Sequence, residues 1–408
     1  MQGAPITVTI TKIWKNVLEV TMADSRLVNS LAFILITLSS FFVFVDKAHA
    51  EDRYFGYWAN TGKISENYQH ANITHIWTGG YPTLESNTQA ILDELAIAKS
   101  LNIKAMVHVI PYVFDISDDE DTNCPLSLSE NSVTQWADFV ETIIQEGYLV
   151  PGNPEASTVA SFYPVDEPEF CGLKDQNGAP HPALQNAIDT IRSHSDTASI
   201  PIAVITTKWK DVRQALALYD WAGNIRYDKS TGGFLSAFDE FSESLSSGQR
   251  TILMPQASFG GSMMGSFGDY HDPDPVIDRF LEDQKVVMVM PFLWDHPQTT
   301  GVSGIQELRE AYIDFGDFVK TGAPLDLIAD VSCAHEGGGS FYCIADAGRG
   351  TPGYTFDWQN AAWSSGNHAN YVVNCGIVKT AMVTVIDSAG DQDSASETLS
   401  CSGGTVIQ

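Results

Sequence analysis

Basic residues are scarce in this sequence. The 408 residues include 22 lysines and arginines against 51 aspartates and glutamates, which gives a formal net charge of −29. A surface of this charge repels phosphate backbones and anionic lipid. The composition therefore argues against nucleic acid or a membrane surface as a partner, and solubility in a salty exterior is the simplest reason for it.

Two common motifs are also missing. No Cys-x-x-Cys spacing occurs, which argues against a zinc site. No Gly-x-Gly-x-x-Gly follows the first predicted strand, which argues against a dinucleotide-binding open sheet. We therefore expect neither a metal nor a cofactor.

The sequence has no obvious membrane-spanning run. The apolar stretch from Leu31 to Val45 has fifteen residues, whereas a spanning helix needs about 18 or more. It is followed by Ala48-His49-Ala50, which fits the small-x-small rule for signal cleavage. We predict a signal peptide over residues 1–50, cut after Ala50, with Met22 as a possible true start and a membrane anchor as the alternative. The mature chain is then secreted, periplasmic or extracellular, with no membrane attachment.

The cysteines are few and even in number. In an exported chain an even set predicts disulfides. Cys124 and Cys171 form one expected bridge, and the last four allow three pairings that sequence does not decide. The six are Cys124, Cys171, Cys333, Cys343, Cys375 and Cys401.

Residues 51–322 alternate between β-type and helical patterns. Eight predicted strands and seven helices over about 270 residues match the usual size of a (β/α)₈ TIM barrel, and a doubly wound open sheet is the alternative. The predicted strands are 53–60, 73–80, 103–110, 162–170, 201–209, 221–228, 250–259 and 286–296, and the predicted helices are 85–101, 132–149, 181–195, 211–219, 234–247, 274–285 and 305–319.

The pattern changes near Leu325. Short β-rich pieces separated by Gly, Ser and Asn predict a small all-β sandwich over residues 323–408. The Val-x-Val strand at 383–385, followed by Asp387-Ser388-Ala389-Gly390, resembles immunoglobulin-like domains of the polycystic-kidney-disease type. That resemblance implies an accessory module of a secreted hydrolase, which need not bind anything.

One stretch organises the first domain. An apolar run beginning at Val159 leads into Asp166-Glu167-Pro168. A buried parallel strand presents acidic groups at the sheet edge in this way, and Pro168 ends it because proline has no N–H for the ladder. The alternative is a helix N-terminus capped by one of the two carboxylates.

The ends of the other predicted strands carry aromatic and polar side chains. The carboxyl ends of barrel strands converge on one face. Aromatic rings stack on the C–H faces of sugars while amides, imidazoles and carboxylates bind hydroxyls, so we predict a carbohydrate site. The predicted substrate-binding residues are Trp58, Trp77, His108, Tyr163, Trp209, Tyr227, Gln256 and Trp294.

Asp166-Glu167-Pro168 resembles the strand-four Asn-Glu-Pro of the retaining (β/α)₈ glycoside hydrolases, over roughly residues 51–322. The resemblance implies that Glu167 is the proton donor, that Asp166 orients the substrate and that Trp294 is a sugar platform. The chain departs from that pattern at strand seven. Gln256 stands where the resemblance calls for a nucleophilic glutamate.

Glycoside hydrolysis normally needs two carboxyl groups. The candidates for the second are Asp228, Asp295 or Asp166 itself. An adjacent Asp-Glu pair also resembles hexosaminidases that use the substrate's acetamido group as nucleophile, although Pro164-Val165 replaces their Gly-Gly. We therefore predict a secreted glycoside hydrolase, and the alternative is a carbohydrate-binding or structural extracellular protein without catalysis.

Overall fold

The computed structural model describes residues 53–78, 83–116, 126–260 and 270–401. The predicted signal peptide, its cleavage point, Met22 and Cys124 lie outside these ranges. From Tyr54 onward the chain forms one compact unit. No helix in the described ranges has both the length and the apolar character needed to cross a membrane.

Up to residue 321 the chain alternates between strands and helices. The strands are β1 (Tyr54–Phe55), β2 (Ile73–Ile76), β3 (Lys104–His108), β4 (Phe114–Ile116), β5 (Leu126–Leu128), β6 (Val159–Tyr163), β7 (Ala203–Thr206), β8 (Trp221–Asn224), β9 (Arg250–Leu253) and β10 (Val286–Val289). The helices are α1 (Ile64–Asn67), α2 (Leu84–Ser100), α3 (Ile110–Val113), α4 (Ser132–Gln145), α5 (Pro182–Ser193), α6 (Thr231–Ser244), α7 (Pro273–Glu282) and α8 (Gln306–Thr321).

Local sequence explains where the longer helices begin and end. Thr83 caps α2 through a reciprocal side-chain and backbone pair with Ser86, which satisfies amide groups that the first turn leaves without partners. Gly322 ends α8 in the left-handed conformation at φ 73°, which glycine adopts without steric cost. The predicted helix over 211–219 is wrong: two 3-10 turns, Trp209–Asp211 and Ala215–Leu218, occupy this region.

The parallel strands form two sheets in this mixed α/β region. One has the order β1-β10-β9-β8-β7 and the other the order β2-β3-β6. Parallel bridges join Phe162 to Ile202 and Asp166 to Ile205, so β6 runs beside β7. At the other edges, the Asn72 amide donates to the Phe55 carbonyl over 3.0 Å, which brings the start of β2 beside β1.

Both faces of these strands are buried. On β10, Val286 and Val289 join a core shared with the helices, here called the helix-side core. Val287 and Met288 join a separate core on the opposite face, here called the strand core, with Met106 and other strand residues. Parallel strands covered on both faces account for the near-continuous apolar runs in the sequence.

The C-terminal region is all antiparallel β. Its strands are β11 (Ile328–Gly337), β12 (Ser340–Gly348), β13 (Thr355–Gln359), β14 (Trp363–Ser365), β15 (His368–Val372), β16 (Val378–Ile386) and β17 (Gln392–Ser400). They form one sheet of order β11-β12-β15-β14 and another of order β13-β16-β17. Phe341, Tyr371 and Val383 are buried in a core that both sheets share.

Two disulfides lie in this region. Cys333 and Cys343 are direct partners across β11 and β12 and are bonded, with a Cα–Cα distance of 4.0 Å. Cys375 is bonded to Cys401 at a Cα–Cα distance of 4.5 Å. The structure thus selects one of the three pairings that the sequence left open. The expected bridge from Cys171 to Cys124 includes a residue outside the described ranges.

The Asp-Ser-x-Gly turn has a clear physical basis. Asp387 Oδ1 accepts hydrogen bonds of 2.9 Å from the amides of Ala389, Gly390 and Asp391, and Oδ2 accepts one of 2.7 Å from the Thr351 amide. One carboxylate therefore closes the β16–β17 turn and also fastens a second loop.

Candidate active site

Asp166 and Glu167 lie just beyond β6, which ends at Tyr163, whereas the sequence predicted a strand as far as residue 170. All of β6 except Ala160 is fully buried, and the chain continues through buried Val165 to Asp166. The Glu167 amide donates to the Ile205 carbonyl over 3.1 Å, which fixes this segment against β7. Glu167 itself has a φ of 44°, a left-handed conformation that is rare for residues other than glycine and is frequent at functional sites.

Asp166 lies in a protected environment. Its Oδ1 accepts a hydrogen bond of 2.6 Å from the Tyr163 hydroxyl. Burial raises the pKa of Asp166 to about 7, and the nearby charges of Glu167 and Glu169 add to the rise against the effect of the Tyr163 bond. Asp166 is therefore a carboxyl group that exchanges its proton near neutral pH.

Glu167 shares this environment. Burial raises its pKa and the charge of Glu169 contributes, while a hydrogen bond from the Thr207 hydroxyl and the charge of Lys208 act in the opposite direction. Thr207 Oγ1 donates to Glu167 Oε1. A raised pKa keeps a carboxyl group protonated for general-acid work.

Glu169 is a third carboxylate at this site, and no role for it was predicted from the sequence. It is 8% exposed, and its Oε1 accepts hydrogen bonds of 2.7 Å from Thr206 Oγ1, the Thr207 amide and the Lys208 amide. Its position two residues after Glu167 is the one signal in the sequence, and that spacing alone does not distinguish it from a solvent-facing glutamate.

Aromatic and imidazole rings from the ends of four strands lie together beside Asp166 and Glu167, here called the carboxyl pair. Trp58 stacks on His75 with ring centroids 3.9 Å apart, and Trp77 stacks on His108 at 4.3 Å. Tyr163 meets Trp58 edge-on at 5.1 Å. The structure thus brings together the predicted residues Trp58, Trp77, His108 and Tyr163, and adds His75. We call these five residues the ring cluster.

Both histidines of the ring cluster are neutral. Burial lowers the pKa of His108 to about 3 and that of His75 well below its usual value. His75 Nδ1 accepts a hydrogen bond of 3.1 Å from the Ala59 amide, so its proton lies on Nε2. His75 Nε2 and both ring nitrogens of His108 are buried with no hydrogen-bond partner among the described residues. Unpaired polar atoms in such places are costly. Because the three nitrogens are buried, a ligand hydroxyl would reach them only if neighbouring side chains moved.

Tyr227 follows strand β8, and Gln256 follows strand β9. Tyr227 packs on Phe292 with ring centroids 5.1 Å apart. Burial raises the pKa of Tyr227, and the charges of Asp166 and Glu167 add to the rise, so Tyr227 is close enough to the carboxyl pair to be affected by its charge. Gln256 is fully buried and donates from Nε2 to the Ser258 carbonyl over 3.0 Å. The Gln256 side chain thus binds the backbone of its own loop.

Trp209 and Trp294 are not in the ring cluster. Both belong to the helix-side core and are 7% exposed. Trp209 lies in a 3-10 turn beyond β7 and packs on Phe241 of α6 at 5.9 Å. Trp294 Nε1 donates to Glu66 Oε2 over 2.9 Å. Both rings therefore pack on the helix side of the strands, in a different core from Trp58 and Tyr163.

Asp228 and Asp295 are paired with cations. Asp228 binds Arg226 through both oxygens, at 3.0 and 3.1 Å, and Lys229 at 3.2 Å. Arg226 holds the pKa of Asp228 well below its usual range. Asp295 is 3.5 Å from Lys63 Nζ, with 43% of its side chain exposed. Asp228 is therefore an ionised carboxylate at all ordinary pH values.

The described residues contain no group of three or more His, Cys, Asp or Glu side chains arranged to hold a metal ion. The carboxyl pair offers proton transfer. Within the ring cluster Trp77 is partly exposed, whereas the other four rings are buried.

No family model matches the chain, and no curated protein matches it. Among solved structures it is similar to PbGH5A, a glycoside hydrolase family 5 enzyme from Prevotella bryantii B14, with 13% identity over 65% of this chain and 97% of that chain at a TM-score of 0.37. It is also similar to a family 39 glycoside hydrolase from Bacteroides cellulosilyticus WH2, with 11% identity over 86% and 80% at 0.41. A GH113 β-1,4-mannanase matches with 8% identity over 66% and 98% at 0.39. All three are glycoside hydrolases. Because these TM-scores and identities are low, the function of this chain has to be argued from its own residues.

Proposed function

We propose that the chain is a secreted glycoside hydrolase that cleaves O-glycosidic bonds by carboxylate general acid/base catalysis. The observation that carries this proposal is the juxtaposition of Asp166 and Glu167, two carboxyl groups with raised pKa, with the ring cluster and its unpartnered imidazole nitrogens. Glycosidic bonds need an acid to protonate the leaving oxygen, and a sugar ring needs flat apolar faces with hydroxyl partners.

The proposed scaffold is a (β/α)₈ barrel over residues 51–322. The two parallel sheets, of five and three strands, meet through the β6–β7 bridges and through the Asn72–Phe55 bond. A strand core separate from the helix-side core fits the packed interior of such a barrel. The carboxyl pair then stands at the carboxyl-terminal face, where barrel enzymes have their active sites.

Residues 323–408 are proposed as an immunoglobulin-like sandwich and residues 1–50 as the signal peptide. The two disulfides support export, because such bonds persist in oxidising compartments. The high negative charge makes carbohydrate, rather than nucleic acid or anionic membrane, the expected partner.

In the proposed mechanism Glu167 is the proton donor and Asp166 orients the substrate from beside it. Asp228 is the second carboxylate for two reasons. It is ionised, and it follows Tyr227, whose pKa is raised in part by the charges of Asp166 and Glu167. Asp228 then acts as nucleophile or activates water, and Asp295 is the alternative. The ring cluster binds the sugar that flanks the scissile bond.

The test is release of reducing sugar from a panel of polysaccharides and aryl glycosides. Glu167→Gln should lower the rate by about 10²- to 10⁴-fold, with circular dichroism unchanged. Glu243→Gln, an exposed carboxylate on α6, is the matched control and should keep full activity. Asp228→Asn and Asp295→Asn run beside them identify the second carboxylate. Full activity in Glu167→Gln would refute the assignment of the acid.

A second candidate is a protein that binds carbohydrate without cleaving it. Ion pairs already neutralise Asp228 and Asp295, and Gln256 provides no carboxylate beyond β9. Binding of a polysaccharide with no release from any substrate, and equal binding by Glu167→Gln, would establish this candidate instead.

A further inference from the structure

Glu169 is a buried carboxylate that the proposed acid/base chemistry does not use. Its Oε1 receives three hydrogen bonds of 2.7 Å from three consecutive residues, Thr206, Thr207 and Lys208. Glu169 lies in the loop after β6, and its donors lie at and just beyond the end of β7. One oxygen therefore joins the loops that follow two neighbouring strands.

The middle donor connects this arrangement to the proposed acid. The amide of Thr207 donates to Glu169, while its hydroxyl donates to Glu167 Oε1. The hydroxyl lies three bonds from its own amide nitrogen, so fixing the amide restricts where the hydroxyl can reach. A charged acceptor with several donors makes a strong restraint of this kind.

We propose that Glu169 is a positioning residue that holds Thr207 so that the Thr207 hydroxyl stays on Glu167, which fixes the orientation of that carboxyl. The proposal rests on the proposed function for its effect on catalysis. Its structural core, the chain of contacts from Glu169 through Thr207 to Glu167, stands independently of any substrate.

Glu169 has two separable effects on Glu167. Through Thr207 it maintains a hydrogen bond that lowers the pKa of Glu167, and through space its own charge raises that pKa. Glu169→Gln removes the charge but keeps an oxygen able to accept the three bonds. Glu169→Ala removes both. Thr207→Val removes the hydroxyl but keeps the amide that Glu169 binds.

The experiment compares pH profiles of kcat/KM for the full chain and these variants. Thr207→Val and Glu169→Ala should each lower kcat by about tenfold, the effect of losing one hydrogen bond to a charged group. Thr207→Val should move the basic limb to higher pH. Glu169→Ala should have its basic limb at higher pH than Glu169→Gln, because both variants lose the charge and only Glu169→Ala also loses the restraint on Thr207. The double variant Thr207→Val/Glu169→Ala should have a kcat no lower than that of the slower single variant, because both substitutions remove the same hydrogen bond from Thr207 to Glu167. Glu169→Gln should retain activity within a few-fold and move the limb to lower pH.

Thr251→Val is the matched control, since Thr251 is fully buried on β9 and its hydroxyl has no partner among the described residues. It should leave the pH profile unchanged. Multiplicative losses in the double variant, or an unchanged basic limb in Thr207→Val, would overturn the proposal. If Glu169→Ala does not fold, Glu169→Met takes its place, because it keeps the length of the side chain but removes the carboxylate that accepts the three bonds.

A readout without substrate keeps this proposal distinct from the proposed function. The carboxyl carbon of Glu167, followed by ¹³C NMR against pH and assigned with Glu167→Gln, should titrate at higher pH in Thr207→Val than in the parent chain, and at higher pH in Glu169→Ala than in Glu169→Gln. These shifts without any turnover would support the positioning role while the hydrolase proposal fails. Equal titration of Glu167 in Glu169→Ala and Glu169→Gln would refute the role even in an active enzyme.

Discussion

The Tyr163 hydroxyl donates a hydrogen bond of 2.6 Å to Asp166 Oδ1 and accepts one of 3.2 Å from the Ile205 amide. This phenol therefore links the last residue of β6, the carboxyl pair beyond it and the neighbouring strand β7. The same ring contacts Trp58 and His75. Tyr163 thus joins the proposed proton-transfer residues to the proposed sugar-binding rings.

Tyr163→Phe tests this link. The substitution leaves the Ile205 amide buried without its acceptor and removes the donor to Asp166, so we expect a loss of about 1–3 kcal/mol in the free energy of unfolding. The pKa of Asp166 should rise further, because the lost bond lowers it. Urea denaturation measures the first effect. Tyr312→Phe is the control, since the buried Tyr312 hydroxyl has no partner in the described part of the chain, and it should change stability much less.

The raised pKa of Asp166 predicts a specific dependence of stability on pH. The folded-state pKa of about 7 exceeds the ordinary value of 3.8, so the folded chain holds this proton more tightly than the unfolded chain. Its contribution is fully present below pH 3.8 and is lost as the pH rises to about 7. Asp166→Asn should remove this loss, on the order of 4 kcal/mol, across that window, whereas the exposed Asp189→Asn should not. Equal slopes in parent and Asp166→Asn would contradict the burial of this carboxyl.

The contribution of His108 to stability depends on pH in the opposite direction to that of Asp166. Its folded-state pKa of about 3 lies below the ordinary value of 6.5, so the unfolded chain binds the proton more readily. Its contribution is present above pH 6.5 and is lost as the pH falls toward 3. Glutamine cannot take up this proton, so His108→Gln should reduce the acid-side slope of stability by up to about 1.4 kcal/mol per pH unit. The exposed His335→Gln serves as control, and thermal melts in a pH series give the slopes.

Gly56 tests whether β1 and β2 are in contact, as a closed barrel requires. A Cβ at this position would lie 1.9 Å from the Ile73 carbonyl oxygen. Gly56→Ala should therefore destabilise the chain by about 3 kcal/mol or more, as overpacking against rigid backbone does. Gly232→Ala on α6 has open space around the new methyl group and should be neutral or stabilising. A Gly56→Ala chain as stable as its parent would show that these strands do not approach as described.

Much of the architecture followed from local pattern. The alternation of buried strands and helices, the all-β character beyond residue 325 and the acidic residues at the end of β6 were predictable, because burial and periodicity are written into short stretches of sequence. The position of Asp166 and Glu167 was predictable for this reason, because an apolar run that leads into Asp-Glu-Pro favours a buried strand with acidic groups beyond its end.

The partners of individual side chains were decided by tertiary structure. Trp209 and Trp294 were predicted from the sequence to bind substrate. In the folded chain they contact Phe241 and Glu66 and lie in the helix-side core. Strand pairing set Cys333 opposite Cys343. The role of Glu169 depends on Thr207, which is far along the chain. The sequence by itself determined the elements and the chemistry available at their ends, whereas only the folded chain decided which groups meet, because strand register and crossing geometry bring together residues that no local pattern connects.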